Sequence, residues 1–347
     1  MRMRLLGHSG LKVSELCLGT MTFGTETGIG ADEAACRRVF DAYLEAGGNF
    51  IDTANIYTLG TSERMLGRFI AGQRGRLVLA TKYSMNTDPR DPNSGGNSRK
   101  ALREALDASL ARLGTDYIDL FWVHAWDAWT PLDETLRALD DAVRAGKVLY
   151  TGFSNVPAWV ISRAQTLAEC RDATRFVALQ LHYSLIERQV EHELLPCAAA
   201  LGLGVTAWSP LAGGLLSGKY AADPAARTGQ EGRLTTTGWG NLFLKDRNIA
   251  IAEAVRSQAA RLGQSPSRVA IRWLLERPGG VIPIVGVRDE LQLGDLLGAS
   301  GFSLDAEAHA ALEAASGILP AYPRGLLEGP MGRRMLHGER VGEIIGR

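Results

Sequence analysis

Apolar residues in this chain alternate between two patterns. Short, nearly continuous apolar runs, as at 49–52, 77–82, 117–124 and 176–182, precede longer stretches in which apolar positions recur three and four residues apart. A short continuous run fits a strand buried on both faces, as in a parallel sheet, whereas the wider spacing fits a helix with one apolar stripe. In 31–46 that stripe is Cys36, Val39, Phe40 and Leu44.

The alternation predicts strands at 16–18, 49–52, 77–82, 117–124, 148–153, 176–182, 204–208 and 281–285. It predicts helices at 31–46, 61–73, 98–113, 133–145, 156–168, 189–202 and 247–262. A hairpin over 3–18, turning at Gly7–Gly10, comes first, and a further helix near 304–316 comes last. Strand–helix alternation implies a parallel sheet, and eight such units over about 280 residues suit a closed barrel. The expected fold is α/β: a (β/α)8 TIM barrel with an N-terminal β-hairpin and an added C-terminal helix. An open doubly wound sheet would call for a G-x-G-x-x-G turn after an early strand, which Gly19–Gly24 does not supply.

Three segments exceed ordinary connections: Ser84–Asn97, Ser209–Lys245 and the tail after Gly317. The first two follow strands, on the C-terminal face where barrel enzymes keep their sites. No linker composition divides the chain, so 1–347 is expected to be a single domain.

Composition adds exclusions. The 347 residues are 46% hydrophobic, enough for a large core. Lys plus Arg and Asp plus Glu number 38 each, so the formal charge is zero and nothing favours nucleic acid or an anionic membrane. Cys17, Cys36, Cys170 and Cys197 lie far apart, without zinc or redox spacing, and read as reduced structural thiols, so no metal site is expected. No run reaches the roughly 18 apolar residues of a membrane helix, and the polar start MRMRLLGHSG does not read as a signal peptide. A cytoplasmic protein is expected; its oligomeric state is not legible.

Candidate chemistry lies at the strand ends. Three runs finish in groups that resist burial, Asp52, Lys82 and His124, with Tyr57 just beyond the first. Alternation puts Phe50 and Asp52 on one face, as it does Val78, Ala80 and Lys82, and Ile118, Leu120, Trp122 and His124. A buried lysine or aspartate is costly unless paired, and barrel closure brings the second, third and fourth strand ends together. Singly, each has an ordinary reading: Tyr57 as a loop aromatic, Lys82 as a solvated edge charge, His124 as a hydrogen-bonded core histidine, Asp52 as a turn cap. Together they make a proton donor. A tyrosine titrates near 10, so acting as a general acid near neutrality asks for a fall of roughly 3 units, about 4 kcal/mol. An ammonium ~4 Å away supplies about that at an effective dielectric of 20. Asp52 is therefore expected to keep Lys82 charged, Lys82 to acidify Tyr57, and His124 to orient a substrate oxygen.

Ordered motifs carry this further. They are LGTMTFG from Leu18 to Gly24, FIDTANIY from Phe50 to Tyr57, Thr81–Lys82, His124, GFSN from Gly152 to Asn155, and Gln180 with Tyr183. WSPLAGGLLSGKY from Trp208 to Tyr220 follows, then IPIVG from Ile282 to Gly286 with Arg288 and Gln292. Over essentially its whole length the chain resembles the aldo-keto reductase superfamily. Its WSPL and SGKY pieces are similar to the bacterial reductases and potassium-channel β-subunits within that superfamily.

The resemblance implies a catalytic tetrad of Asp52, Tyr57, Lys82 and His124, and NADP(H) bound in extended form without a Rossmann fold. It implies Ser154, Asn155 and Gln180 on the nicotinamide carboxamide and Trp208 stacked on its ring. Ser209, Pro210, Leu211, Gly213, Leu215 and Lys219, with Arg233, would wrap the pyrophosphate. Arg288 and Gln292 would reach the adenosine 2′-phosphate, with Asp295 near the adenine. Gly19, Thr20, Met21, Asp52 and Gly286 are also implied as cofactor contacts. Residue chemistry agrees in part: an indole is a stacking platform, a glycine-rich turn lets backbone N–H groups approach phosphate, and a guanidinium forks onto a phosphate monoester. Ordinary readings stand beside these: Trp208 as core, Gly213–Gly214 as a plain turn, Arg288 as a solvated helix charge. Leu296 stands where the family often has asparagine. His124 is followed by Ala-Trp-Asp, and Trp126 and Trp129 read equally as pocket walls or packing residues.

Two functions follow. One is NADPH-dependent reduction of an aldehyde or ketone, with hydride from the nicotinamide and a proton from Tyr57. The alternative is a nucleotide-sensing regulatory protein resembling channel β-subunits, with little turnover. The presence of His124 and the lack of a long extra N-terminal segment favour the enzyme. Its implied partner is a small-molecule carbonyl whose class the loops do not name.

Overall fold

The computed structural model describes residues 1–220, 232–236, 238 and 240–343. In chain order its strands begin with an antiparallel hairpin, β1 Met3–Leu5 and β2 Lys12–Ser14. There follow β3 Cys17–Gly19, β4 Phe50–Asp52, β5 Val78–Tyr83, β6 Ile118–Val123, β7 Val148–Ser154, β8 Phe176–His182, β9 Gly204–Trp208 and β10 Ile282–Val285. Strands β3 to β10 pair in parallel with their sequence neighbours, and β10 closes onto β3 with Ile284 opposite Cys17. Helices stand between them, so the fold is the (β/α)8 barrel that the apolar runs predicted.

Alternation divides each strand between two cores. Cys17, Phe50, Val78, Ala80, Leu120, Trp122, Ala178, Ile282 and Ile284 fill the barrel, whereas Ile51, Leu79, Phe121, Val123 and Leu179 face the helices. Each fully buried aliphatic or aromatic side chain contributes about 1.5–3 kcal/mol. Leu6 and Val13, from and beside the hairpin, are fully buried in the inner cluster and plug the barrel floor. His8 N–H ties that plug to Gly202 O at 2.7 Å. Polar groups inside the barrel are therefore reached from the C-terminal ends of the strands. Ile118 departs from expectation: it joins the outer cluster rather than Leu120 and Trp122. It is the first residue of β6, opposite Val148 of the same outer layer, at the level where the hairpin residues already occupy the interior. Trp122 fills the barrel above them, fully buried, and its register partner is Gly152. A Cβ at Gly152 would lie 2.3 Å from the indole, so glycine is what lets the tryptophan fit.

The helices begin where capping residues stand. Asp32, Ser98 and Ser265 each accept an N–H from the first turn of the helix that follows, a cap worth about 1 kcal/mol. The last of these opens Pro266–Leu275, a second helix after Asp246–Leu262 that the sequence reading missed. Its side chains from Val269 to Leu275 are buried, the charged Arg272 among them, and the overlooked signals were Arg268 and Arg272 four apart and the Ser265–Pro266 start. The predicted helix 189–202 divides into a 3-10 turn, Gln189–Glu191, and a helix, Leu194–Leu201. The long stretch after β9 holds a 3-10 segment, Ala212–Ser217, and helical turns at Arg233–Thr236 and Gly240–Phe243. Positions 221–231, 237 and 239 of that stretch lie outside the described residues. The added C-terminal helix is Ala306–Ser316, followed by shorter ones at Arg324–Leu327 and Pro330–His337.

Candidate active site

β4, β5 and β6 lie side by side, and their ends converge. Asp52 ends β4, Lys82 is next to last in β5, and His124 follows β6 with its N–H on Tyr83 O at 2.9 Å. Tyr57 opens the 3-10 turn Tyr57–Gly60, in which Thr58 and Leu59 are left-handed, with φ of 47° and 54°. Thr58 Oγ1 fixes that turn, donating to Phe23 O at 2.6 Å and accepting from Ser62 N at 3.1 Å. Among the described residues seven non-glycine positions have positive φ, and six of them (Thr58, Leu59, Ser84, Asn155, Ser209 and Ala212) follow barrel strands at this end. Backbone strain thus gathers on the loops that carry the candidate site.

Lys82 is fully buried, and Asp52 is 2% exposed. Lys82 Nζ donates to Asp52 Oδ1, to Thr53 O at 2.7 Å and to Tyr57 Oη at 3.2 Å. An ammonium has three N–H bonds, so all are committed. Tyr57 Oη accepts from Lys82, which leaves its own hydroxyl proton for another partner. The second oxygen of Asp52, Oδ2, accepts from Gln180 Nε2 at 2.9 Å. The Tyr57 and His124 rings meet edge to face, centroids 6.1 Å apart.

Burial opposes the charge on Lys82, but Asp52, followed by Tyr57, outweighs it and holds the ammonium above its ordinary pKa. Burial is also the main influence on Tyr57. Lys82 pulls the phenol down, Asp52 pushes it up, and the result lies above the ordinary value. The expectation that Lys82 alone brings Tyr57 towards neutrality is therefore corrected: desolvation and the Asp52 charge outweigh the ammonium. His124 is driven down to about 3 by burial and then by Lys82, so its imidazole is neutral at physiological pH. Its Nδ1 is buried and without a hydrogen-bond partner among the described residues.

A second group of residues forms a shelf beside these four. Trp208 ends β9, and its Nε1 donates to Asn155 Oδ1 at 3.2 Å. His182 covers one face of the indole, centroids 4.0 Å apart and planes 10° from parallel, and Phe243 meets His182 edge-on at 5.9 Å. The sequence reading missed His182, although alternation with Ala178 and Gln180 along β8 puts it on the inner face. Asn155, left-handed at φ 46°, also donates from Nδ2 to His124 O at 2.8 Å and to Ser154 Oγ at 3.1 Å. Its amide therefore braces His124 and Trp208, and Ser154 is fully buried beneath it. Gln180 spends Nε2 on Asp52, and among the described residues nothing donates to its Oε1.

The turn after β9 is left-handed at Ser209, Ala212, Gly213 and Gly214, with φ of 55°, 50°, 66° and 96°. Lys219 folds over it: a Cβ on Gly214 would lie 3.1 Å from Nζ. Pro210 and Leu211 belong to the same turn, and Leu215 is buried in the core, so its backbone alone faces outward. Burial lowers the pKa of Lys219, and so do Arg288 and Arg233, which puts Lys219 in the field of both guanidinium groups. Arg233 Nη2 also meets Met21 Sδ at 3.7 Å. Arg288 precedes the helix Glu290–Leu297, whose cap is Asp289. Gln292 donates to Asp289 from N at 2.8 Å and from Nε2 at 2.7 Å, so a carboxylate already occupies the helix end expected to favour a phosphate. Asp295 is held by Ser265 Oγ at 2.7 Å and by Arg268 Nε at 3.1 Å, the latter a cation that the sequence reading passed over. Thr20 is buried and donates to Asp52 O at 3.0 Å, bracing the end of β4. Gly19 and Gly286 face each other where β3 meets β10; a Cβ on Gly286 would lie 3.7 Å from Gly19 O. Trp126 is a packing residue, against Phe153 at 6.4 Å and Trp159 at 6.3 Å, and Trp129 is 95% exposed. A cavity of about 340 Å³ between outer helices, lined by Arg99, Arg137, Asp140, Asp141, Arg144 and Arg171 among others, is away from this chemistry, and Arg99, Arg144 and Arg171 are paired with carboxylates.

Comparison with known proteins gives the family. The model of the aldo/keto reductase family matches residues 15–316. An uncharacterized oxidoreductase of Bacillus subtilis (strain 168), YrpG, is 42% identical over 87% of this chain and 92% of its own length. Norsolorinic acid reductase stcV of Emericella nidulans is 38% identical over 86% of this chain and 77% of its own. An aryl-alcohol dehydrogenase (NADP(+)) of Phanerodontia chrysosporium is 34% identical over 86% of this chain and 81% of its own.

Proposed function

The chain belongs to the aldo/keto reductase family, and from that premise we propose that it is an oxidoreductase reducing a carbonyl to an alcohol with NADPH, the proton coming from Tyr57. The observation that carries this reading is the fully buried Lys82, whose third N–H goes to Tyr57 Oη at 3.2 Å. A phenol that accepts from an ammonium keeps its own proton to give and, having given it, is a phenolate already beside a cation. Asp52 keeps that cation charged. His124 is neutral, and a buried Nδ1 without a partner is less costly as a lone pair than as an N–H, which puts its proton on Nε2, available to a carbonyl oxygen.

The shelf residues suit a nicotinamide nucleotide. Trp208 offers a braced plane, Gln180 Oε1 an acceptor for a carboxamide N–H, and Ser154 a hydroxyl once Asn155 turns. Lys219, Arg233 and Arg288, with the left-handed turn at Ser209–Gly214, suit phosphates, and a 2′-phosphate makes NADPH the favoured form. Bound there, the cofactor supplies a hydride to the carbonyl carbon; the protein holds the oxygen and protonates it. An aryl-alcohol dehydrogenase among the relatives, and an aromatic mouth of Tyr57, His124, His182, Trp208 and Phe243, favour an aryl aldehyde as substrate. No helix among the described residues is long and apolar enough to cross a membrane. We read the chain as a single-domain cytoplasmic enzyme. The test is NADPH oxidation with aryl, aliphatic and sugar carbonyls, beside nucleotide binding by fluorescence. Turnover greatest with aryl aldehydes supports the whole reading; tight nucleotide binding with no turnover on any carbonyl overturns it in favour of a nucleotide-sensing protein.

A further inference from the structure

We propose that Gln180 is a positioning residue of the proton relay, holding Asp52 for Lys82, and not a cofactor contact alone. Its Nε2 lies 2.9 Å from Asp52 Oδ2, and both residues are 2% exposed. An ionised carboxylate accepts and does not donate, so the amide must turn its NH2 end to Asp52. The two oxygens of Asp52 are thereby divided: Oδ1 serves Lys82 and Oδ2 serves Gln180. A buried carboxylate needs donors on both, and without Gln180 the second would be desolvated and unpaired.

Three consequences follow from this division. The carboxylate plane is fixed by a donor on each side, which sets where Lys82 Nζ sits and, through it, the hydroxyl of Tyr57. The N–H dipole offsets part of the Asp52 charge that raises the phenol pKa. With Nε2 committed, Gln180 has Oε1 to offer a ligand, so one side chain joins cofactor recognition to the relay. The titratable groups in the field of Asp52 are Lys82 on β5, Tyr57 on its turn and the Cys17 thiol on β3, and Tyr57 also faces the His124 ring after β6 and lies in the field of Arg233.

The kinetic arm rests on the reductase reading, so a second arm is independent of it. At saturating NADPH, Gln180→Leu should lower kcat about 10- to 150-fold, the range of one charge-assisted hydrogen bond. It should also move the alkaline limb of the pH–rate profile upward. In an Asp52→Asn background the same substitution should change kcat little, because the group it acts through is gone. Gln180→Glu is nearly isosteric and guards against misfolding of the leucine variant. Protonated, it donates to Asp52; ionised, it repels it, so its kcat should fall with rising pH where Gln180→Leu shows no such step. Without any turnover, the tyrosinate absorbance of the cofactor-free chain, taken as the difference from Tyr57→Phe, should shift to higher pH in Gln180→Leu. A cofactor contact alone gives a different pattern: NADPH affinity falls, kcat and both pH profiles stay as in wild type, and the loss multiplies unchanged in the Asp52→Asn background. That result overturns the proposal. A wild type that turns over no carbonyl would sink the functional reading and leave the absorbance comparison standing.

Discussion

Asp52–Lys82 at the mouth of the barrel and Asp119–Arg74 on its outer side are both buried carboxylate–cation pairs, and their surroundings differ. Arg74 Nη2 lies 2.6 Å from Asp119, and the same guanidinium donates to Thr115 Oγ1 at 3.1 Å, Leu77 O at 3.2 Å and Tyr117 O at 2.8 Å. The Tyr117 ring lies under it at 4.0 Å, and Asp119 accepts from Leu79 N at 2.9 Å. All of those direct partners are backbone, hydroxyl or ring, and none exchanges a proton near neutrality. Lys82 spends one of its three donors on Tyr57, whose own proton has no acceptor among the described residues, and Asp52 reaches across the barrel to Gln180. One pair pins a loop to a strand. The other holds a titratable group in a site open at one end. Burial of the charges is common to both, so burial does not mark function; an uncommitted proton beside the pair does.

That contrast is most directly broken by removing the proton. Tyr57→Phe should lower carbonyl reduction by about 10²- to 10⁴-fold while leaving NADPH binding nearly intact. Lys82→Met should cost as much, and the double variant little more than either, because residues acting as one unit are strongly non-additive. Single-turnover rates and nucleotide titrations of the three variants measure this. A double loss equal to the product of the single ones would mean that Lys82 and Tyr57 act separately.

The same operation on the outer pair should have the opposite profile. Arg74→Met leaves Asp119 buried without its partner and should destabilise the fold by about 3 kcal/mol, the low end for a broken buried pair because Arg74 keeps some solvent contact. The kcat of the folded fraction should not move. Urea midpoints and activity at low denaturant separate the two quantities, and a rate loss without a stability loss would contradict the assignment of this pair to structure.

The two pairs also differ in how legible they were. Asp52 and Lys82 stand at strand ends in recognisable motifs, and period-two alternation put them on one face before any coordinates. Asp119 sits inside an apolar run, and its partner lies on a loop 45 positions earlier, so no local spacing announced the pairing. The Asp52–Gln180 bond spans 128 positions for the same reason. The eight strands were legible because each is a dense apolar run; the helix Pro266–Leu275 was passed over, although Arg268 and Arg272 give it a polar edge, because it follows Asp246–Leu262 with no strand between them. The balance at Tyr57 was misjudged because strand ends give proximity to Lys82 and do not give the depth of burial that opposes it.

A smaller effect is expected at the far end of the cofactor shelf. NADH lacks the 2′-phosphate that Arg288 is proposed to meet, and one charge-assisted contact is worth about 1.5–3 kcal/mol, a preference of roughly 10- to 150-fold. Arg288→Ala should therefore raise the KM for NADPH and barely touch that for NADH. Lys219, within the field of the same cation, should blunt the loss. Equal loss of both cofactors would remove Arg288 as the phosphate reader.

The smallest effect separates the two regions by pH. His124 titrates near 6.5 when unfolded and at about 3 in the fold, where burial and Lys82 disfavour its charge. Between those values the unfolded chain takes up a proton that the folded chain refuses. Stability is therefore undiminished above about pH 6.5 and is lost as pH falls towards 3, by at most about 1.4 kcal/mol per pH unit from this one group. His182, also lowered by burial, acts in the same direction. His124→Asn keeps a polar side chain and removes the titration, so its urea stability should fall less steeply between pH 6.5 and 5 than that of the wild type. Arg74→Met should act the other way: it removes the cation that opposes burial at Asp119, so its stability loss should be greatest near neutrality and shrink as pH falls and the buried carboxyl takes up a proton. An unchanged slope in His124→Asn would mean that the imidazole accepts its proton in the folded chain, and the neutral donor proposed for the carbonyl oxygen would have to be given up.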